Sequence, residues 1–337
     1  METRKVQLSG GTTYTVSLPK AWAQEHGINS GSVLTLHPNG DGSLLVEATG
    51  GRDALERTTT VDVSTDADDE IRQRIRAAHT IGMDSITLVD TMGHPDDRRQ
   101  LVERALSGLS GFEVLEASDN RIRLTNLIDA ENVDVRKSTL RLRLVMLAMH
   151  RDATTAVLED DDELARRVVR RDDEADKLFA MITRHFRRSL SDLHEVEKLT
   201  WNRDDLFEYY YAARQFERVA DHATKIAGFA LDSDASIPAE YASVLPELAA
   251  ASRQVVDDAA DVILTDAGLE TASGAIAKRD RLMDRLADLD RDLYDHDVPG
   301  EAYVLGLLLD SFRRTAEYGS NVAKVGIQQE TRRRTGE

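Results

Sequence analysis

Apolar and polar residues alternate with a period of two near the start of the chain. Val6 and Leu8 form one alternating run, and Tyr14, Val16 and Leu18 form a second. This spacing is typical of short strands with one covered face. A pair of glycines between the two runs indicates a turn. The pattern therefore predicts two strands at the beginning of a small β-rich unit.

A short helix and a hairpin complete this unit. Pro19 opens the segment PKAWAQEHG and Gly27 closes it, as is usual at the two ends of a helix. Two further alternating runs, SVLTL and SLLVEA, are joined by the hairpin sequence NGDG at 39–42. A domain over 1–50 is near the size that rarely folds alone. We therefore expect it to pair with a second copy in a homodimer.

A second small domain is predicted over 58–130. TTTVDVS and DSITLVD alternate as strands, and each is followed by a segment with apolar residues at helical spacing. FEVLEA and RIRLTNL, separated by SDN, then form a hairpin. The order β-α-β-α-β-β predicts helices packed on one sheet, a small α/β sandwich.

From residue 132 onward the apolar residues recur at helical spacing over long stretches. Six helices of this kind form two three-helix bundles in tandem. The bundles span 133–330, as two repeats of about 133–234 and 237–330. Pro238 and Pro299 each start a helix, because the first turn needs no proline N–H. The predicted helices lie near 135–158, 161–191, 203–232, 238–265, 269–295 and 300–330, and the fold class is α+β multidomain.

The two bundle halves resemble each other in sequence. RDDEADKL at 171–178 aligns with RDRLMDRL at 279–286, and QFERVADHATKIAGFA at 215–230 aligns with SFRRTAEYGSNVAKVG at 311–326. Phe216 thereby corresponds to Phe312. An internal repeat of this kind indicates that one helical unit was duplicated.

Carboxylates recur within the repeated segments at a spacing of four residues. Asp172 and Asp176 share one helix face, and Glu217 and Asp221 share another. If the two faces meet across the bundle, four oxygen ligands converge, which suits a hard or borderline cation. The alternative is a lattice of surface ion pairs, in which Arg218 and a following lysine neutralise Asp221. The spacing is compatible with both a cation site and a lattice of surface ion pairs.

Composition excludes several kinds of site. The 337 residues contain no cysteine, so disulfides, thiolate zinc sites and thiol nucleophiles are excluded. There is no apolar run of membrane-spanning length and no signal-peptide pattern, so we expect a cytoplasmic protein without membrane insertion. No phosphate-binding loop, nucleophile elbow or metalloprotease motif occurs, so no enzymatic activity is expected.

The charge is strongly negative and unevenly distributed. The net charge is −18, and the chain has only 8 lysines against 35 arginines and 38 aspartates. An Asp-rich, Lys-poor composition resembles that of proteins from halophilic archaea, and ordinary acidity with biased codon usage is the alternative. Residues 1–40 carry a net charge of +1, so the rest carries −19. This spared segment either faces an anion or is buried in a dimer.

The N-terminal unit resembles the AbrB/SpoVT family of swapped-hairpin DNA-binding domains. The resemblance rests on the order strand, TVSLPKAWAQEHGI, SGSVLTL and hairpin. It implies a dimer whose exposed basic and polar side chains contact DNA, and a purely dimerising domain is the alternative. Residue by residue, the resemblance assigns DNA contact to Arg4, Lys5, Thr12, Thr13 and Lys20.

The helical part resembles the PhoU family over roughly 133–330. RDDEADKLF, FERVADHATKIA and their repeats carry this resemblance. It implies a metal cluster on the bundle surface, with Fe, Mn, Mg, Ca or Zn as candidate ions. It assigns Glu217 and Asp221 as ligands, with Asp172 and Asp176 beside them. The second half departs from the family pattern, since Arg313 replaces one acidic residue. Asp280, Asp284 and Glu317 are its possible ligands, or form with Arg313 a salt-bridged remnant of a site.

Together the two resemblances imply a phosphate-responsive regulator of phosphate uptake. The N-terminal domain would bind DNA, and the helical part would bind metal and a phosphate ABC transporter or its signalling partner. The alternative is a cytoplasmic modulator of the transporter or signalling partner that does not bind DNA.

Overall fold

The computed structural model describes residues 3–38, 42–48, 56–232, 237–238, 240–265, 267–293 and 299–335. The chain divides into two compact units, Met1–Glu56 and Arg57–Glu337. The predicted boundaries of three domains stay a prediction. None of the helices in these ranges is both long and apolar enough to cross a bilayer.

The first unit consists of two separate hairpins and one short helix. Gly10 and Gly11 connect the first two strands with φ angles of 65° and 79°, a conformation that glycine adopts at low cost. Both hairpins are antiparallel, and their strands form two separate two-stranded sheets. The predicted NGDG turn lies mostly outside the described residues. The elements are β1 (Gln7–Ser9), β2 (Thr13–Thr15), α1 (Lys20–Glu25), β3 (Leu34–Pro38) and β4 (Leu44–Ala48).

This first unit has no core of its own among its described residues. Every residue whose burial is described between 3 and 47 is exposed or half-buried. Leu8 is 60% exposed and Tyr14 is 75% exposed, although both lie in strands. Strands normally cover one apolar face, so these side chains lack the cover that their pattern predicts.

The small α/β domain has the predicted order of strands and helices. Its sheet order is β5-β6-β8-β7, with β5 and β6 parallel and the other pairs antiparallel. Ile71, Ile75, Ile86, Leu101 and Leu124 are buried in one shared core. The predicted sandwich is confirmed. Its elements are β5 (Thr58–Asp62), α2 (Asp68–Thr80), β6 (Ser85–Val89), α3 (Asp96–Ser107), β7 (Phe112–Ala117) and β8 (Arg121–Asn126).

Two three-helix bundles make up the rest of the second unit, as predicted. The helices α4, α5 and α7 pack together, as do α8, α9 and α10, and the pairs α7–α10 and α4–α8 join the bundles. Phe216 and Phe312, which correspond in the sequence repeat, are both fully buried. The helices are α4 (Val135–Glu159), α5 (Asp162–Ser189), α6 (Leu193–Leu199), α7 (Arg203–Asp232), α8 (Val244–Thr265), α9 (Gly268–Asp292) and α10 (Pro299–Thr335).

Polar side chains and prolines account for several of these helix starts. Asp134 and Asp161 cap α4 and α5 by accepting hydrogen bonds from backbone N–H groups at 2.9 Å. Pro299 starts α10 as predicted, but Pro238 does not start α8. The reason is Pro246, which a helix beginning at 238 would place in its interior, where the ring clashes with the preceding turn. In α8 it is the third residue, where proline is tolerated.

The bundles meet at close range. A Cβ on Gly319 of α10 would lie 2.8 Å from the backbone nitrogen of Val256 in α8, so only glycine allows this approach. Arg143 of α4 donates to the carboxylates of Asp257 and Asp261 in α8 at 2.8 and 2.7 Å. The two halves are therefore held together by backbone proximity and by a half-buried ionic network.

Candidate functional site

Four carboxylates predicted as neighbours lie on adjacent helices of the first bundle. Asp172 and Asp176 are on α5, and Glu217 and Asp221 are on α7, which packs against α5. We call these four residues the carboxylate cluster. All except Asp221 are at least half-buried.

The members of the cluster repel one another electrostatically. Burial, followed by the negative charge of Asp221, raises the pKa of Glu217 to about 7. Burial and the charges of Asp176 and Asp221 raise the pKa of Asp172 to about 6. Partial burial of the carboxyl group of Asp221, followed by the charge of Asp176, also raises the pKa of this more exposed member. Four carboxylates on two faces thus form one interacting group, with too little positive charge nearby to keep all of them in their ordinary pKa range.

Two arginines compensate part of this charge. Arg214 donates to both carboxylate oxygens of Glu217 at 3.0 and 3.1 Å. Arg76, from α2 of the small domain, forms an ion pair with Asp176. Arg218, one of the two cations that the alternative pairing assigned to Asp221, places its guanidinium over the ring of Tyr318, 5.6 Å from the ring centroid.

The cluster has the donor chemistry of a cation site without having its ligand geometry. Carboxylate oxygens are the donors preferred by Mg, Ca and Mn and are also used by Fe. A bound cation would offset the burial and the mutual repulsion that raise the pKa values of Glu217 and Asp172. Among the residues that the structure describes, however, no group of three or more His, Asp and Glu side chains is arranged to hold a metal ion. The residues fit such an ion chemically, and the ion would have to displace Arg76 from Asp176 and Arg214 from Glu217.

The second half of the repeat lacks this electrostatic interaction. Asp280 and Asp284 are exposed, and Asp280 is 3.1 Å from Arg279. Glu317 accepts from Arg314 at 3.0 Å. The remnant hypothesis required Arg313 to pair with these three carboxylates. Arg313 instead lies 3.7 Å from Asp310 and 4.0 Å from Asp290. The second set thus consists of surface carboxylates, of which Asp280 and Glu317 are paired with neighbouring arginines.

The residues predicted to contact DNA are all on the surface of the first unit. Arg4 and Lys5 precede β1, and Lys20 is the first residue of α1. Thr12 and Thr13 lie at the β1–β2 turn, where Thr13 pairs with Ser9. All five predicted side chains are exposed.

Sequence reasoning missed the two arginines of the carboxylate cluster. Arg214 lies three residues before Glu217, a spacing that places both on one helix face. This spacing alone could have predicted their ion pair. Arg76 is 100 residues from Asp176 in the chain, and nothing in the local pattern of α2 points toward α5. Its contribution depends on how the small domain packs on the bundle.

The family comparisons agree with this architecture. Residues 139–230, which comprise most of α4 through α7, match the family model of the PhoU domain. The chain contains a PhoU domain. The match includes all four members of the carboxylate cluster and excludes the second set. Residues 7–53 match the family of the antidote-toxin recognition protein MazE, a bacterial antitoxin, so an AbrB/MazE-like domain precedes the PhoU domain.

Two solved structures of PhoU proteins are similar to this chain over somewhat more than half of its length. The phosphate transport system regulatory protein PhoU from Streptococcus pneumoniae is 17% identical, with 58% of this chain and 93% of that chain covered, at a TM-score of 0.47. PhoU from Pseudomonas aeruginosa is 19% identical, with 59% and 96% covered, at a TM-score of 0.41. At these scores neither structure supports an argument about function. No curated protein matches the chain.

Proposed function

We propose that this protein is a phosphate-responsive regulator of phosphate uptake that acts without catalysis of its own. The observation that supports this proposal is the joining of a PhoU domain to an AbrB/MazE-like domain in one chain. The PhoU domain binds a metal ion and a phosphate transporter or its signalling partner. The N-terminal domain dimerises and binds DNA.

The exposed apolar strands of the first unit support the dimer. Leu8, Tyr14, Val16 and Leu36 are each more than half exposed, and together they give the short hairpins an apolar surface. A second copy of the same unit would cover it by pairing like with like. Sedimentation of the full chain at several concentrations tests this, and a monomer at micromolar concentration contradicts it.

DNA binding rests on the three exposed cations of each first unit. Arg4, Lys5 and Lys20 give a dimer six positive charges on a unit spared the acidity of the remaining chain. Affinity for DNA scales with the number of phosphates neutralised, so six cations predict modest binding that salt weakens.

An electrophoretic mobility shift on the upstream region of the protein's own gene and on phosphate-transporter promoters tests this part. We expect a shift with the wild type, its loss with Lys20→Glu, and no change with Arg166→Glu on α5, an exposed arginine outside the first unit. Absence of a shift refutes DNA binding. If Lys20→Glu leaves transcription unchanged while phosphate uptake still depends on the protein, the modulator without DNA binding is the correct alternative.

Metal binding is supported by the unmet negative charge of the carboxylate cluster. Ion binding keeps Glu217 and Asp172 ionised at neutral pH, and the nearby arginines are the groups it must outcompete. Elemental analysis of purified protein after dialysis against Mn²⁺, Fe²⁺, Mg²⁺, Ca²⁺ or Zn²⁺ tests this. We expect bound metal in the wild type, its loss in Glu217→Ala and its retention in Glu163→Ala, an exposed residue of the same bundle. Equal metal content in all three proteins refutes the site.

A further inference from the structure

A groove between the two bundles combines apolar side chains with positively charged ones in this acidic protein. It lies between α4 and α8 and has a volume of about 440 Å³. Pockets of this volume are of the size that takes small organic molecules. Its apolar side is lined by Leu144, Leu147, Ala148 and Ala250. Leu144 is 60% exposed.

Two arginines line the same groove. Arg253 of α8 is half-buried, and none of the described carboxylates lies within ion-pair distance of it. Arg151 of α4 pairs through its Nε with Asp152 at 3.2 Å, which leaves its terminal nitrogens available. Burial and the like charge of Arg151 lower the pKa of Arg253. The two arginines therefore line a common space, and Asp152, which pairs with Arg151, also attracts Arg253.

A buried histidine beside the groove holds the side chain of Arg253 in place. Nη1 of Arg253 lies 3.2 Å from Nδ1 of His150, a fully buried histidine. Burial and the nearby charge of Arg253 lower the pKa of His150 to about 3, so the ring is neutral and Nδ1 can accept this hydrogen bond. Asp257, the only carboxylate among the described lining residues, is already bound by Arg143 at 2.8 Å. It therefore does not compete strongly for Arg253.

We propose that this groove binds a small organic phosphate, whose phosphate group contacts Arg151 and Arg253 and whose apolar part packs on Leu144 and Leu147. Guanidinium groups pair with phosphate oxygens through two parallel hydrogen bonds, and this geometry favours arginine at such sites. The groove is larger than a bare phosphate ion requires, and its apolar side has no function for such an ion. The proposal goes beyond the regulatory function above and stands whether or not the first unit binds DNA or the cluster binds metal.

Calorimetric titration of the full chain with phenyl phosphate tests the site, with phenol, inorganic phosphate and phenylacetate as comparison ligands. We expect phenyl phosphate to bind at millimolar concentration or below, and the other three to bind more weakly. Arg253→Gln and Arg151→Gln should each weaken binding of phenyl phosphate by roughly tenfold or more, as expected for losing a charged hydrogen bond. Arg166→Gln, which removes an exposed arginine paired with Asp162, should leave it unchanged.

Each other outcome overturns the proposal. No binding of phenyl phosphate, or equal binding by the groove variants, removes the site. Inorganic phosphate binding as tightly as phenyl phosphate removes the role of the apolar side. Phenylacetate binding as tightly indicates a general acceptor of carboxylates, such as an acidic peptide, and refutes the phosphate assignment. Arg151 has a side chain 65% exposed, so its variant should fold even if Arg253→Gln does not.

Discussion

Replacing Glu217 with glutamine should stabilise the metal-free protein at neutral and higher pH. Glu217 has a pKa raised from 4.5 to about 7, because burial and the charges of Asp221 and Asp176 disfavour its ionised form. At pH 8 this corresponds to a cost of about 3 kcal/mol in the free energy of unfolding. The attraction of Arg214, which the variant also loses, is already included in this raised pKa. The expected net gain is therefore about 3 kcal/mol.

The pH dependence of this gain has a definite sign. A carboxyl whose folded pKa is raised binds protons in the folded state between pH 4.5 and 7, when the unfolded chain has released them. Its ionisation therefore lowers stability progressively as the pH rises through this range. At pH 5 the remaining cost is below about 1 kcal/mol, so Glu217→Gln should gain little there.

Urea unfolding followed by circular dichroism, with EDTA present and at pH 5 and pH 8, measures this difference. Glu163→Gln serves as the control, because its side chain is 80% exposed and should change stability little at either pH. If Glu217→Gln is equally or less stable than the wild type at pH 8, the pair with Arg214 outweighs the repulsion within the cluster. The electrostatic argument for a cation at this place would then be wrong.

Three further predictions concern the packing of the second unit. Gly319→Ala should lower the free energy of unfolding by about 1–3 kcal/mol, since its Cβ would meet the backbone of Val256, whereas Gly274→Ala on α9, with open space around it, should not destabilise in the same urea titration. Arg184→Met should lower the free energy of unfolding by about 3 kcal/mol and increase hydrogen exchange in α2. The reason is that Arg184 is buried and donates to the carbonyls of His79 and Met83 at 2.9 and 2.7 Å. Arg187→Met, which changes an exposed neighbour, should leave exchange unchanged. The small domain should be about 2 kcal/mol less stable against unfolding at pH 5 than at pH 7. Burial and the charge of Arg184 lower the pKa of His79 to about 3, so only the unfolded chain takes up the proton in this range. Unchanged hydrogen exchange in β5–β8, corrected for intrinsic rates, contradicts this.

Periodicity predicted most of the secondary structure because each element carries its own signal. The six elements of the small domain and the six long helices follow from alternation, helical spacing and caps. The short α6 was missed, since seven residues give too few turns for a pattern to appear. The error at Pro238 came from treating one proline as a start signal, while a second proline eight residues later constrained the same helix more strongly.

The candidate site was predictable where it depends on duplicated local spacing, and unpredictable where it depends on tertiary packing. Spacing of four residues put Asp172 beside Asp176 and Glu217 beside Asp221, and the packing of α5 on α7 brought the pairs together. The same argument failed for the second half, where exposed aspartates and local arginines replace the interacting group. Nothing in the sequence around Arg76 indicated that it would reach the bundle.

The ion pair between Arg76 and Asp176 joins the small domain to the carboxylate cluster through side chains of α2 and α5. A cation that enters the cluster competes with this guanidinium for the same carboxylate. By thermodynamic reciprocity, a ligand that pulls α2 away from the bundle would raise the affinity of the cluster for cations, and a cation would loosen α2 by the same free energy. In the regulator proposed above, the small domain would in this way respond to the occupancy of a cation site on the neighbouring bundle.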